Sequence, residues 1–108
     1  MTRSLVYYCH RLTDPDPKVQ AANLSRAIER LRYLRPQLAA RGEVLWAPWI
    51  ALADAGVVAD AAVWGFLGDA ISLSKAILLD LDGAPESGGM LREAALAEER
   101  GIEVRRTR

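Results

Sequence analysis

Apolar positions recur along the chain on two different periods, and the switches between them mark the elements. Ser4-Leu5-Val6-Tyr7-Tyr8-Cys9 is rich in β-branched and aromatic residues and predicts a buried strand. Thr13-Asp14-Pro15-Asp16-Pro17 is turn chemistry. From Val19 onward, Leu24, Ile28, Leu31, Leu34 and Leu38 recur at three- and four-residue steps. That spacing predicts a helix with one apolar face and with Arg26, Glu29, Arg30 and Arg32 mostly turned elsewhere. Pro36 should kink or break this helix because it lacks a backbone donor, and Gly42 suits its stop. Residues 43–47 read as a second strand ended by Pro48, and residues 49–56 as a short helix. Residues 57–73 read as a longer helix with Ala61, Trp64, Leu67 and Ile71 on one face. Residues 75–81 form a third, nearly continuous apolar strand, the pattern of a parallel sheet covered on both faces. A loop over 82–89, rich in Gly, Pro and Ser, precedes a helix over 90–100 with Leu91, Ala94, Ala95 and Ala97 near its buried side. Gly101 stops that helix, residues 102–104 read as a short last strand, and residues 105–108 as a frayed tail.

Strands and helices thus alternate, and the expected architecture is one α/β domain over residues 1–108. It is a three-layer α-β-α arrangement with a four- to five-stranded, mostly parallel sheet of flavodoxin- or Rossmann-like type. Right-handed crossovers put helices on both faces of such a sheet. Ligands bind beyond the carboxyl ends of the strands, where the strand order reverses. The loops after Cys9, Ala47, Leu81 and, more weakly, Val104 are therefore the place to look.

Composition narrows the function classes. Hydrophobic residues make up 51% of the 108 and charged residues 26%, which supports a packed interior. Fourteen Lys+Arg balance fourteen Asp+Glu, so the cationic surplus of a nucleic-acid binder is absent. One cysteine, Cys9, and one histidine, His10, exclude a disulfide framework, a cysteine zinc cluster and a multi-histidine metal centre. No apolar run reaches the roughly 18 residues of a membrane span; residues 55–81 are interrupted by Asp60, Asp69 and Lys75. The first five residues lack the apolar stretch of a secretory leader, and a cytosolic protein is expected. Neither a Walker loop nor a dinucleotide glycine fingerprint occurs, so no cofactor is expected. Three tryptophans and a very apolar second half predict a homodimer or a larger homo-oligomer.

The segment Asp80-Leu81-Asp82-Gly83-Ala84-Pro85-Glu86-Ser87-Gly88-Gly89-Met90-Leu91-Arg92-Glu93 carries the most chemistry. Ser87 is a natural helix N-cap. Backbone N–H groups at Gly88, Gly89 and Met90 would then favour an anion or a sugar hydroxyl. Gly89 and Glu93 are four apart and share a helix face, which sets the Glu93 carboxylate over the gap at Gly89. Held near the donors of a helix start, that carboxylate is expected to stay ionised, as a nucleophile must. The plainer alternative is that Ser87 only caps, the glycines only turn, and Glu93 faces solvent. Asp80 and Asp82 compete for a carboxylate role or hold the loop through turn hydrogen bonds. His10 reads as a polar strand-end residue. One of Tyr7 and Tyr8 should be core and the other, taken as Tyr7, should reach the pocket. Trp49, just after Pro48, is placed as a stacking wall for a base.

Ser87-x-Gly89-x-x-x-Glu93, following an apolar strand that ends in Asp80-x-Asp82, resembles the nucleoside 2-deoxyribosyltransferases and the related nucleotide N-glycosidases. The similarity extends over nearly the whole chain. It takes in the strand Val6-Tyr7-Tyr8-Cys9, a long helix with Asn23, a strand ending near Pro48 and a helix carrying Asp69. The resemblance implies cleavage of an N-glycosidic bond, or deoxyribosyl transfer, on a nucleoside or nucleoside 5′-monophosphate. Glu93 would attack the anomeric carbon to form a glycosyl-enzyme ester. Ser87 would bind the sugar or its 5′-phosphate, and Asp69 would act as acid at the leaving base. The nucleotide-hydrolysing members carry a glycine-rich turn after the first strand. Here Cys9-His10-Arg11-Leu12-Thr13 contains no glycine, and His10 and Arg11 supply charge in its place. The alternative function is a non-catalytic nucleotide-binding module of the same fold.

Overall fold

The computed structural model describes residues 4–107. The first three residues, part of the leader reading, and Arg108, the end of the expected tail, lie outside them. Eight elements follow in the order β1 (Ser4–Cys9), α1 (Pro17–Ala39), β2 (Glu43–Trp46), α2 (Pro48–Asp54), α3 (Ala61–Ser72), β3 (Ala76–Asp80), α4 (Gly88–Glu99) and β4 (Glu103–Thr107). The four strands pair in parallel in the order β2-β1-β3-β4. Helices lie on both faces, and the fold is a three-layer α-β-α sandwich of the Rossmann- or flavodoxin-like kind. Among the described residues no helix is long and apolar enough to cross a membrane.

The two faces of the sheet carry separate cores. Val6, Tyr8, Leu45 and Leu78 pack beneath Ala27, Leu31, Leu34 and Leu38 of α1. Tyr7, Cys9, Ile77 and Leu79 pack beneath Leu67 and Ile71 of α3 and Met90, Ala94 and Ala97 of α4. Strand alternation alone separates Tyr7 from Tyr8 in this way. α2 sits at the carboxyl end of β2, with Ile50 in the first core and Leu52 against the second.

Four local expectations are corrected. α1 continues through Pro36 as one helix, because Leu34 and Leu38 are both buried on the sheet and hold its last turns. The helix expected from residue 57 begins only at Ala61. Asp60 adopts an extended conformation and its carboxylate accepts from the Val63 N–H at 2.8 Å, an N-cap that makes residues 57–60 a connection. The expected tail is strand: Glu103–Thr107 pairs in full register with Ala76–Asp80. Arg105 reaches Glu43 with two 2.9 Å hydrogen bonds, and Arg106 pairs with Glu86. Finally, α4 is rotated from its expected phase. Met90, Glu93, Ala94 and Ala97 face the sheet, while Leu91 and Ala95 face solvent.

This topology fixes where a ligand can approach. The chain leaves β1 toward β2 on one side, returns to β3, and leaves β3 toward β4 on the other. The loops after β1 and β3 therefore diverge, and the crevice of an open parallel sheet lies between them.

Candidate functional site

Two constellations flank the carboxyl end of β1, one on each face. On the α4 face is Glu93, 2% exposed. Its place on the Met90-Glu93-Ala94-Ala97 stripe carries it into the core. Tyr7 and Cys9, two residues apart on β1, face the same side and lie against its carboxyl group. The neighbours are not aligned as partners: neither the Tyr7 hydroxyl nor Glu93 Oε2 has a hydrogen bond. Burial pushes the Glu93 carboxyl up to about 7, against the opposing pull of Tyr7 and Cys9. Burial and the adjacent carboxylate likewise raise Tyr7 and Cys9 above their usual ranges, so both are neutral. Desolvation therefore works against the expectation that helix-start donors keep Glu93 ionised. The residue sits in the second turn of α4, and desolvation outweighs a dipole effect confined to the first.

On the α1 face lies an ionic network. Asp82, at φ 47°, accepts from Arg26 Nε at 2.8 Å and contacts His10 Nε2 at 3.0 Å. The Arg26 hydrogen bond holds the Asp82 carboxyl well below its usual range; burial opposes and His10 adds. Beside it, Asp80 accepts from Arg30 Nε at 2.9 Å and from the Tyr8 hydroxyl at 2.7 Å. Arg11 donates to the Leu81 carbonyl at 2.8 Å. The network ties α1 to the loop after β3, and it saturates the cations that stand in place of a glycine-rich turn.

The sequence-derived site residues therefore separate into groups. Glu93 and Tyr7 come together, as do His10 and Asp82, on opposite faces of the sheet. Ser87 caps α4 by accepting from the Met90 N–H at 3.2 Å. Gly89 is exposed, and a Cβ there would meet only the Ser87 Oγ at 4.0 Å, so no carboxylate leans over it. Trp49 is half-buried and lines a cleft of about 280 Å³ with Leu12, Gln20, Ala53 and Val57; Glu93 does not line it. Asp69 is exposed on α3 and makes no hydrogen bond or ion pair with Glu93 among the described residues. α3 and α4 run alongside, with Arg92 over the Trp64 ring at 4.0 Å and Arg100 against Gly68. Trp64 thus stands near the level of Glu93, and Asp69 lies more than a turn below it, exposed.

Sequence reasoning weighed Asp80 as a carboxylate candidate but missed its partners Arg26 and Arg30 of the network. The available signal was the four-residue spacing of Arg26 and Arg30, which puts both on one helix edge opposite the Asp80-x-Asp82 strand end. Among the described residues, no group of three His, Cys, Asp or Glu side chains is arranged to hold a metal ion. No protein-family model matches the chain, and no curated protein matches it.

Proposed function

We propose that the chain cleaves the N-glycosidic bond of a nucleoside or nucleoside 5′-monophosphate, or transfers its sugar, with Glu93 as nucleophile. One observation carries this reading: a core carboxyl oxygen and a neighbouring phenol, both without partners, stand together at the carboxyl end of β1 beside the β1–β3 switch point. A buried polar atom without a partner costs about 1–3 kcal/mol, and a ligand that supplies partners recovers it. In the reaction a Glu93 oxygen bonds to the anomeric carbon as the carbon–nitrogen bond breaks, and the base leaves with the electron pair. Water or a second base then attacks the same carbon and releases the carboxylate. The neutral Tyr7 hydroxyl lies against that carboxylate and would have to realign to donate to it. The departing base takes its proton from water, and the attacking water or base gives one up to solvent, so the proton count closes without a side-chain acid.

A pKa near 7 makes the ionised, nucleophilic form a function of pH. Activity should therefore rise as pH passes through about 7. The test is chromatography for free base after incubation with a panel of nucleosides and 5′-monophosphates. Base release that is lost in Glu93→Gln supports the proposal. The enclosure of Glu93, at 2% exposure, favours the second reading, a binding module of the same fold without turnover. Ligand-dependent thermal stabilisation with no base release supports that one. A panel that produces neither response refutes both.

A further inference from the structure

We propose that the groove between α1 and α2 receives the outer stripe of α3 from a second copy of this chain, giving a two-fold dimer around the edge strand β2. The groove has a volume of about 430 Å³. Ile28, Leu31, Trp46 and Ile50 line it with apolar surface, and Arg32 and Arg35 stand on the α1 rim, with Asp54 on the α2 rim. Among the described residues, neither arginine takes part in an ion pair. They differ in this from Arg26 and Arg30, which are committed to Asp82 and Asp80.

α3 carries the complement. Phe66 is 51% exposed and Leu73 72%, and the exposed Asp69 lies between them. Positions 66, 69 and 73 fall on one side of a helix, so the stripe reads apolar, acidic, apolar over two turns. Its span from Phe66 to Leu73 is about 10 Å, and so is the span from Ile28 to Arg35 along the groove, at about 1.5 Å per residue. Seated in the groove, the two apolar side chains meet apolar surface, and Asp69 meets the two arginines without a partner of their own.

The choice of a second copy over another acidic helix rests on continuity. Trp46 of the groove donates its indole N–H to Ser74 Oγ at 3.0 Å, and Ser74 directly follows Leu73. Groove and stripe thus lie on opposite faces of the edge strand β2, joined through Trp46, and β2 has a neighbour on one side only. A foreign helix would fill the groove and leave Phe66 and Leu73 in water. A two-fold axis at β2 covers both surfaces and makes each contact twice.

Sedimentation velocity over a concentration series tests this. The wild type should sediment at twice the mass of one chain at micromolar concentration. Leu73→Glu should weaken association by about tenfold or more, since it places charge in an apolar seat. Asp69→Arg should weaken it by a similar factor, and combination with Arg32→Asp and Arg35→Asp should restore it to within about threefold. All these side chains are exposed, so circular dichroism should show each variant folded. A wild type that stays monomeric throughout overturns the proposal and leaves the groove to a different acidic helix. A dimer indifferent to both Leu73→Glu and Asp69→Arg, or not restored by the charge exchange, overturns it too.

Discussion

Glu93→Gln should change stability in a manner that depends on pH. In the native protein the Glu93 carboxyl titrates at about 7, because burial penalises its charged form, against 4.5 ordinarily. The folded state therefore favours the protonated form more than the unfolded chain does. The associated stability is fully present below pH 4.5 and is lost as pH rises through about 7. The gap between the two values amounts to about 3 kcal/mol, at about 1.4 kcal/mol per pH unit. Glutamine has nearly the same shape and never ionises, so it escapes this loss. Between about pH 5 and pH 8 the stability of Glu93→Gln relative to wild type should grow by about 2–3 kcal/mol. Groups shared by both proteins, such as Asp82 and Glu43, cancel in the comparison. Equilibrium urea unfolding followed by the fluorescence of the half-buried Trp46, Trp49 and Trp64 measures it directly. A difference that stays constant between the two pH values would refute the argument that Glu93 is desolvated in the folded state.

Other outcomes follow from the same contacts. Asp82→Asn should cost about 1–2 kcal/mol near neutral pH, with half-exposed Arg26 screened by water, and the cost should begin to shrink only as pH falls below the ordinary carboxylate range, because the folded carboxylate stays ionised into strong acid; urea unfolding near pH 7 and near pH 3 reads the decrease. Asp60→Ala should cost about 1 kcal/mol by removing the α3 cap, seen as a fall in Tm of about 4–8 °C. Cys9, buried and with its thiol pushed up by desolvation, should resist a thiol reagent in the native protein and react on addition of denaturant. Base release, where it occurs, should follow a single ionisation near pH 7 and disappear with Glu93→Gln.

Hydrophobic spacing was enough to predict an alternating α/β domain, the four strands and the long helix of Leu31, Leu34 and Leu38. Each element buries one face, and the period of that face is written in the chain. The loop after the third strand, the end of the first strand and the resemblance drawn from them singled out Glu93, Tyr7, His10 and Asp82 as residues to watch. Boundaries were less legible where one side chain decided them. Asp60 reads equally as a helix interior or as a cap until Val63 N–H is seen to bond to it. Arg105 reads as a tail until Glu43, far away in sequence, is found beside it.

The tertiary structure alone decided how the candidate residues combine. A rotation of α4 by part of a turn separates a solvent carboxylate from a core one, and only contact with the sheet selects between them. The same packing set Glu93 beside Tyr7 and Cys9, moved its ionisation toward neutrality, and left Asp69 on an outer face. Local sequence specifies periodicity, because periodicity is a property of neighbours in the chain. Burial, charge state and partnership depend on groups brought together across the sheet, and those were settled only when the strands took the order β2-β1-β3-β4.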